Sequence, residues 1–211
     1  MSLIEIKGLC KKFGEKTVFD GLDINIEKGE FVSIMGKSGR GKTTLLNMIG
    51  MIEKPDAGDI CIMNVKNPKF DSAKARKLRA TKVAYLFQNY GLIENDTVEN
   101  NLAVSAHFQK DSAKKKKEKY ADALKKVGLE NYEKRKVYTL SGGEQQRVAL
   151  AKVIVKNPEL ILADEPTGSL DADNRDYVLR ILNELNQEGK TIVVVTHDSV
   201  VNEAAGRKII L

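Results

Sequence analysis

The chain has 211 residues, 42% of them hydrophobic and 30% charged, with a formal net charge of +6. That balance excludes disordered, collagenous and membrane-embedded classes and leaves room for one core, or one core with a sizeable insertion. Cys10 and Cys61 lie in separate segments without metal-ligand spacing, so they read as packed thiols of a reducing compartment and not as a disulfide framework.

At the N-terminus, "MSLIEIKGLC" lacks the basic region and apolar run of a signal peptide, and no apolar run approaches the roughly 18 residues of a membrane span. The expectation is a chain that is soluble by itself. "LIEIK" and "LDINI" alternate apolar and polar residues as half-exposed strands do, whereas "FVSIM" at 31–35 and "LILA" at 160–163 are more continuously apolar, as buried parallel strands are. "GKTTLLNMIG" has helical spacing at Leu45, Leu46 and Ile49, giving strand, glycine loop and helix in that order. Further on, Gln88 closes the strand-like "VAYLFQ".

From Asp96 to about Val155 the pattern turns helical. Asp96 with Glu99 reads as a capping pair, Ser112 as the cap of a lysine-rich helix and Gly128 as its end. The run Lys114 to Lys119 reads as a solvated helix face, so no nucleic-acid partner is expected. The helix after "LSGG" should stop at Asn157-Pro158. Strands then return in "LILA", followed by a helix over Ala172 to Glu188 closed by Gly189, then "TIVVV" and "KIIL". The fold class is therefore α/β, a core with a helical insertion in its middle.

Chemistry begins at Gly36-Lys37-Ser38-Gly39-Arg40-Gly41-Lys42-Thr43, the P-loop pattern. Its glycines let successive N–H groups face a β-phosphate, Lys42 neutralises the β- and γ-phosphates, Thr43 suits Mg²⁺ and Thr44 the α-phosphate. "LILADE" ends in two acids at a strand's C-terminal edge, where Asp164 suits the Mg²⁺ shell and Glu165 an attacking water. His197 sits at another such edge, after "TIVVVT"; His107 reads as a bland helical residue. A second glycine turn, Ser141, Gly142 and Gly143 in "LSGGEQQR", also opens onto a helix, and one phosphate tail does not need two cradles.

Together these stretches resemble the nucleotide-binding subunit of an ATP-binding cassette (ABC) transporter. "GKSGRGKTT" resembles its Walker A, "LILADE" its Walker B, "LSGGEQQR" its signature, Gln88 its Q-loop residue, "GSLD" at 168–171 its D-loop and His197 its switch histidine. The resemblance implies a P-loop NTPase (RecA-like) core with an antiparallel β-subdomain and an inserted α-helical subdomain, in one domain over 1–211. The core would take 1–90 and 158–211, and the helical part about 91–157.

It also implies ATP as substrate, Mg²⁺ as cofactor, and a head-to-tail dimer in which Ser141, Gly142, Gly143 and Gln145 of one copy face the nucleotide on the other. Glu165 would polarise water, His197 would contact the γ-phosphate, Asp171 would couple the two sites, and Gln88 would touch Mg²⁺ and sense the γ-phosphate. Phe13 falls where the family stacks an aromatic on adenine, usually tyrosine. Arg40 stands where the family has a small residue.

A transmembrane permease is expected to dock near Gln88 to Ile93, with Tyr90, Leu92 and Ile93 either touching it or packing into the core. The chain would then be a cytoplasmic subunit on the inner face of the membrane. The phrases "YLFQNYGLIENDTVENNL" and "ADEPTGSLD" resemble the macrolide, lipoprotein-releasing, antimicrobial-peptide-resistance and bacteriocin exporter branch. The function this implies is ATP hydrolysis driving export of a peptide, antibiotic or lipophilic compound. The alternative is an ATPase relaying force or signal to an envelope protein.

Overall fold

A computed structural model describes residues 2–168 and 170–211. In chain order, β1 (Ser2–Phe13) and β2 (Lys16–Glu27) form a hairpin, and β3 (Phe31–Met35) leads into α1 (Lys42–Ile49). Next come β4 (Ala57–Ile62), β5 (Val65–Lys66), α2 (Ala73–Thr81) and β6 (Val83–Leu86). Three helices follow: α3 (Val98–Ser105), α4 (Ala113–Lys126) and α5 (Gly142–Lys156), with a 3₁₀ turn at Val137–Thr139. The chain closes with β7 (Leu160–Asp164), α6 (Ala172–Gln187), β8 (Thr191–Val195), α7 (Ser199–Ala204) and β9 (Arg207–Ile210).

The strands sort into an antiparallel sheet, β2-β1-β4-β5, and a wholly parallel one, β6-β7-β8-β3-β9. Alternation along the parallel strands explains why they read as unbroken apolar runs. Ile161, Ala163, Ile192 and Val194 face one cluster with α3 to α6. Their neighbours Leu160, Leu162, Val193 and Val195 face a second cluster with α1 and the antiparallel sheet. With both faces covered, no position on β7 or β8 is left for a solvent-facing residue. On the antiparallel sheet alternate residues such as Ile4, Ile6, Ile24 and Ile26 reach the core, which produces most of the polar interleaving, with Leu3 beside Ile4 also buried.

Helix ends follow local chemistry. Ser112 caps α4 by accepting from Lys115 N, Gly128 follows its end at φ 66°, and Asn157 closes α5 in the left-handed region before Pro158. The expected Asp96–Glu99 cap is corrected by one residue. Thr97 caps α3, its Oγ1 accepting from Asn100 N at 3.2 Å, while Asp96 accepts from Thr97 N at 2.7 Å and so fixes the turn before the helix. β6 ends at Leu86, which puts Gln88 in the following turn and not in the strand. Cys10 and Cys61 are free and only half-buried on β1 and β4, less packed than expected.

Candidate functional site: a phosphate cradle at the edge of the parallel sheet

All the parallel strands point their C-terminal ends the same way, so the loops after β3, β6, β7 and β8 gather at one edge, where open α/β sheets bind ligands. An open cavity of about 960 Å³ lies there. It brings together Phe13, Ser38, Gly39, Gly41 to Thr44, Gln88, Asp164, Glu165 and His197, residues spread over most of the chain.

The loop after β3 is shaped for an anion. Gly41, the N-cap of α1, has φ 87° and offers no side-chain cap, so the first-turn N–H groups stay open. A Cβ at Gly41 would lie 2.2 Å from Val18 Cγ1 and 2.8 Å from Phe19 Cζ, so only glycine fits both the conformation and the space. Lys42 is 7% exposed and donates from Nζ to Gly36 O at 2.9 Å and Lys37 O at 3.2 Å. Two neutral carbonyls hold that charge in place without neutralising it.

Opposite, Thr43 Oγ1 in the first turn of α1 donates to Asp164 Oδ1 at the end of β7, at 3.2 Å. Burial pushes the Asp164 carboxyl above its usual value, with the Thr43 hydroxyl and the Lys42 charge acting the other way. The donor set is hard oxygen, and a carboxylate pushed up by burial gains from a nearby cation, so the pair fits Mg²⁺. Glu165 is held at φ 46°, a left-handed conformation unusual for a glutamate, with its N–H donating to Val195 O at 2.9 Å. Its carboxylate accepts from His197 N at 3.2 Å and lies 3.7 Å from His197 Nε2. The adjacent strands β7 and β8 thus place an acid and an imidazole side by side at the rim.

Several candidates lie elsewhere. Lys37 and Arg40 are exposed and do not line the cavity; Lys37 contributes only its carbonyl. Ser141, Gly142, Gly143 and Gln145 are also away from it. Ser141 and Glu144 form a reciprocal capping box, Ser141 N donating to Glu144 Oε2 at 2.8 Å and Glu144 N to Ser141 Oγ at 3.3 Å. Backbone and Tyr132 hydrogen bonds hold the Glu144 carboxyl below its usual range. Gln145 Nε2 donates to Leu140 O at 3.1 Å. Asp171 caps α6 through Asn174 N at 2.8 Å, and Ser169 of the same stretch lies outside the described residues.

Sequence reading missed Lys16, Val18, Thr167, Arg175, Val195 and Asp198 as cavity residues. Lys16 and Val18 share a face of β2, and strand alternation alone marks them. Arg175 on α6 and Asp198 beyond β8 carry no motif; Thr167 Oγ1 donates to Asp198 Oδ2 at 3.3 Å, tying the loop after Glu165 to the one after His197. Of the groove candidates, Tyr90 and Leu92 pack against the core, whereas Ile93 is 51% exposed.

Comparison with known proteins finds similarity over nearly the whole chain. The family model for ABC transporters matches residues 19–168. The macrolide export ATP-binding/permease protein MacB of Mannheimia succiniciproducens is 41% identical over 98% of this chain, which spans 33% of that protein. An uncharacterized ABC transporter ATP-binding protein of Methanocaldococcus jannaschii, MJ0796, is 41% identical over 93% of this chain and 87% of its own length. A dimeric structure of MJ0796, in a post-hydrolysis state bound to ADP and Pi, superposes with a TM-score of 0.90 at 38% identity, covering 99% of this chain and 94% of that one.

Proposed function

With more than half its length matching that model, the chain belongs to the ABC transporter family as an ATP-binding ATPase domain, and we propose that two copies enclose ATP to drive a membrane exporter. One observation carries the reading. Lys42, Thr43, Asp164, Glu165 and His197 share one cavity, while the second glycine cradle at Ser141 does not line it. A cradle that does not serve its own chain's phosphates is available to those of a second copy.

In this mechanism the open N–H groups of α1 and the Lys42 ammonium bind the β- and γ-phosphates, Lys42 exchanging its two carbonyl partners for phosphate oxygens. Thr44 meets the α-phosphate, and Ser38 and Gly39 complete the loop around the chain of phosphates. Phe13, 50% exposed at the cavity mouth, stacks on the adenine, with Lys11 Nζ 4.9 Å from the centroid of its ring. Lys37 and Arg40 hold the outer turn of the loop.

Thr43, Asp164 and Gln88 would hold Mg²⁺, whose charge offsets that of the phosphates. Glu165 accepts the proton of the attacking water, and its left-handed backbone aims the carboxylate along the rim. His197, beside it, meets the charge developing on the γ-phosphoryl oxygens.

From the second copy, the N-terminus of α5 supplies Gly142 and Gly143 N–H groups and the Ser141 hydroxyl. That hydroxyl accepts from Glu144 N and keeps its own proton to donate. Gln145 lies one residue beyond the capping glutamate, and Asp171 at the head of α6 couples the two sites.

Among the described residues no helix is long and apolar enough to cross a membrane. On this reading a permease docks beside Gln88 through Ile93 and its neighbours. The exported solute on this reading is a peptide, antibiotic or lipophilic compound. The MacB relatives named for macrolide export support that branch.

Ser141→Arg tests the trans arrangement. The variant should bind ATP as the unaltered chain does when dilute and lose turnover; loss of ATP binding would show that the signature acts within its own chain and would overturn the reading.

A further inference from the structure

Two residues before Phe13 stands a cation that no motif accounts for. Lys11, near the end of β1, is 6% exposed and does not line the nucleotide cavity. A lysine that deep is tolerated only where its charge is met. Its Nζ donates to Glu53 Oε1 at 2.8 Å, to Lys54 O at 2.8 Å and to Asp56 Oδ1 at 3.4 Å. Those acceptors use all three protons of the ammonium and leave none for a ligand. Burial works against the charge, but the Glu53 and Asp56 carboxylates outweigh it and hold the group above its ordinary value.

The three acceptors belong to the turn that follows α1. Ile52 N and Glu53 N both donate to Asn47 O, at 2.8 and 3.2 Å, so Glu53 hangs from the end of the helix. Across to β1, Lys12 N donates to Asp56 Oδ2 at 2.7 Å and Asp56 N to Cys10 O at 3.0 Å. Residues 10–12 are thereby pinned, by side chain and backbone, to the far end of the helix whose first turn opens onto the phosphate loop. A helix of 8 residues is about 12 Å long and stiff, so its two ends keep a fixed separation.

Phe13 is where that strut ends. Its ring lines the cavity and is 50% exposed, yet phenylalanine lacks the hydroxyl by which a tyrosine could fix its orientation. The Lys11 ammonium, 4.9 Å from the ring centroid, supplies a restraint in its place as a cation–π contact. An aromatic held before its ligand arrives loses less entropy on stacking than one free to turn.

We propose that Lys11 is a positioning residue for the nucleotide. Braced by Glu53 and Asp56, it sets the Phe13 ring for the adenine and couples that platform to the helix that binds the phosphates. The proposal rests on the reading in which Phe13 stacks on the base. It gives Lys11 no contact with the nucleotide, so removal of the charge should be felt only through Phe13.

A double-variant cycle tests this with two probes, ATP and inorganic tripolyphosphate, each titrated with Mg²⁺ into the dilute purified chain. Phe13→Ala should weaken ATP about 5–100-fold, the usual worth of one stacked base, and leave tripolyphosphate unchanged. Lys11→Met keeps the stem and removes the charge. It should weaken ATP about 2–5-fold, the worth of a cation–π contact near the surface, again with tripolyphosphate unchanged. In the Phe13→Ala background the same exchange should have no further effect on ATP. Glu53→Gln leaves Lys11 in place and loosens its brace; a loss of about 2-fold on ATP alone is expected, absent in that background, and it decides the matter if Lys11→Met does not fold.

Equal losses of ATP and tripolyphosphate binding in the folded variants would show that Lys11 and Glu53 only staple the turn to the strand. A loss on ATP that persists undiminished in the Phe13→Ala background, or no loss at all, would equally overturn the proposal. If Phe13→Ala itself leaves ATP affinity unchanged, the stacking reading falls and the proposal with it.

Discussion

A buried lysine is tolerated only where its charge is met, and Lys42 is met by two carbonyls that a phosphate would outcompete. Lys42→Ala should therefore cost one or two charge-assisted hydrogen bonds, lowering ATP affinity about 10–100-fold, measurable by titration with a fluorescent ATP analogue. An unchanged affinity would place the phosphates elsewhere. Gly41→Ala should be more severe, because its Cβ would collide with Val18 and Phe19 and its φ of 87° is strained for alanine. The expected result is loss of nucleotide binding together with a lower thermal midpoint. Pairing it with Val18→Ala should recover part of the midpoint, by relieving one clash, but not the binding. At Glu165, exchange for Gln keeps shape and removes the base, so single-turnover hydrolysis should fall about 10²–10⁴-fold with ATP still bound.

At the scale of elements, the capping box of α5 separates stability from chemistry. Hydrogen bonds from Ser141 N and Tyr132 hold the Glu144 carboxyl below its usual range in the folded chain. A lowered folded value means that the carboxylate's contribution is fully present above the ordinary carboxylate range and is lost as pH falls through the folded value. Glu144→Gln should accordingly lower the thermal midpoint at neutral pH by about 2–4 °C, equivalent to roughly 1 kcal/mol in a chain of this size, and the gap should close in acid. A gap independent of pH would show that the carboxylate's charge is not what caps the helix.

The elements themselves were largely legible. β3, β7 and β8 announced themselves because both faces are buried, and α5 because a capping signal precedes it and Asn157-Pro158 ends it. The cap of α3 was missed by one residue because Asp96 and Thr97 are both good cappers, and only backbone geometry decides which of them accepts from the first turn.

For the whole molecule, the strand order decided what could be foreseen. β8 separates β3 from β7, so His197 emerges between the Lys42 loop and Asp164, a neighbourhood that no local pattern encodes. The motifs identified Lys42, Asp164, Glu165 and His197 because chemistry restricts the residue types at strand ends. Arg175 and Asp198 were invisible because their place in the cavity depends on how α6 and α7 pack.

The placement of the signature outside its own chain's cavity has the widest consequence: on the proposed reading one copy holds two half-sites, and ATP should be what joins copies. Light scattering of Glu165→Gln, with and without saturating ATP and Mg²⁺, tests this most directly. The account predicts a mass near 23.4 kDa without nucleotide that doubles with ATP and falls back when ATP is removed. A variant that binds ATP and stays at the monomer mass at high protein concentration would contradict it.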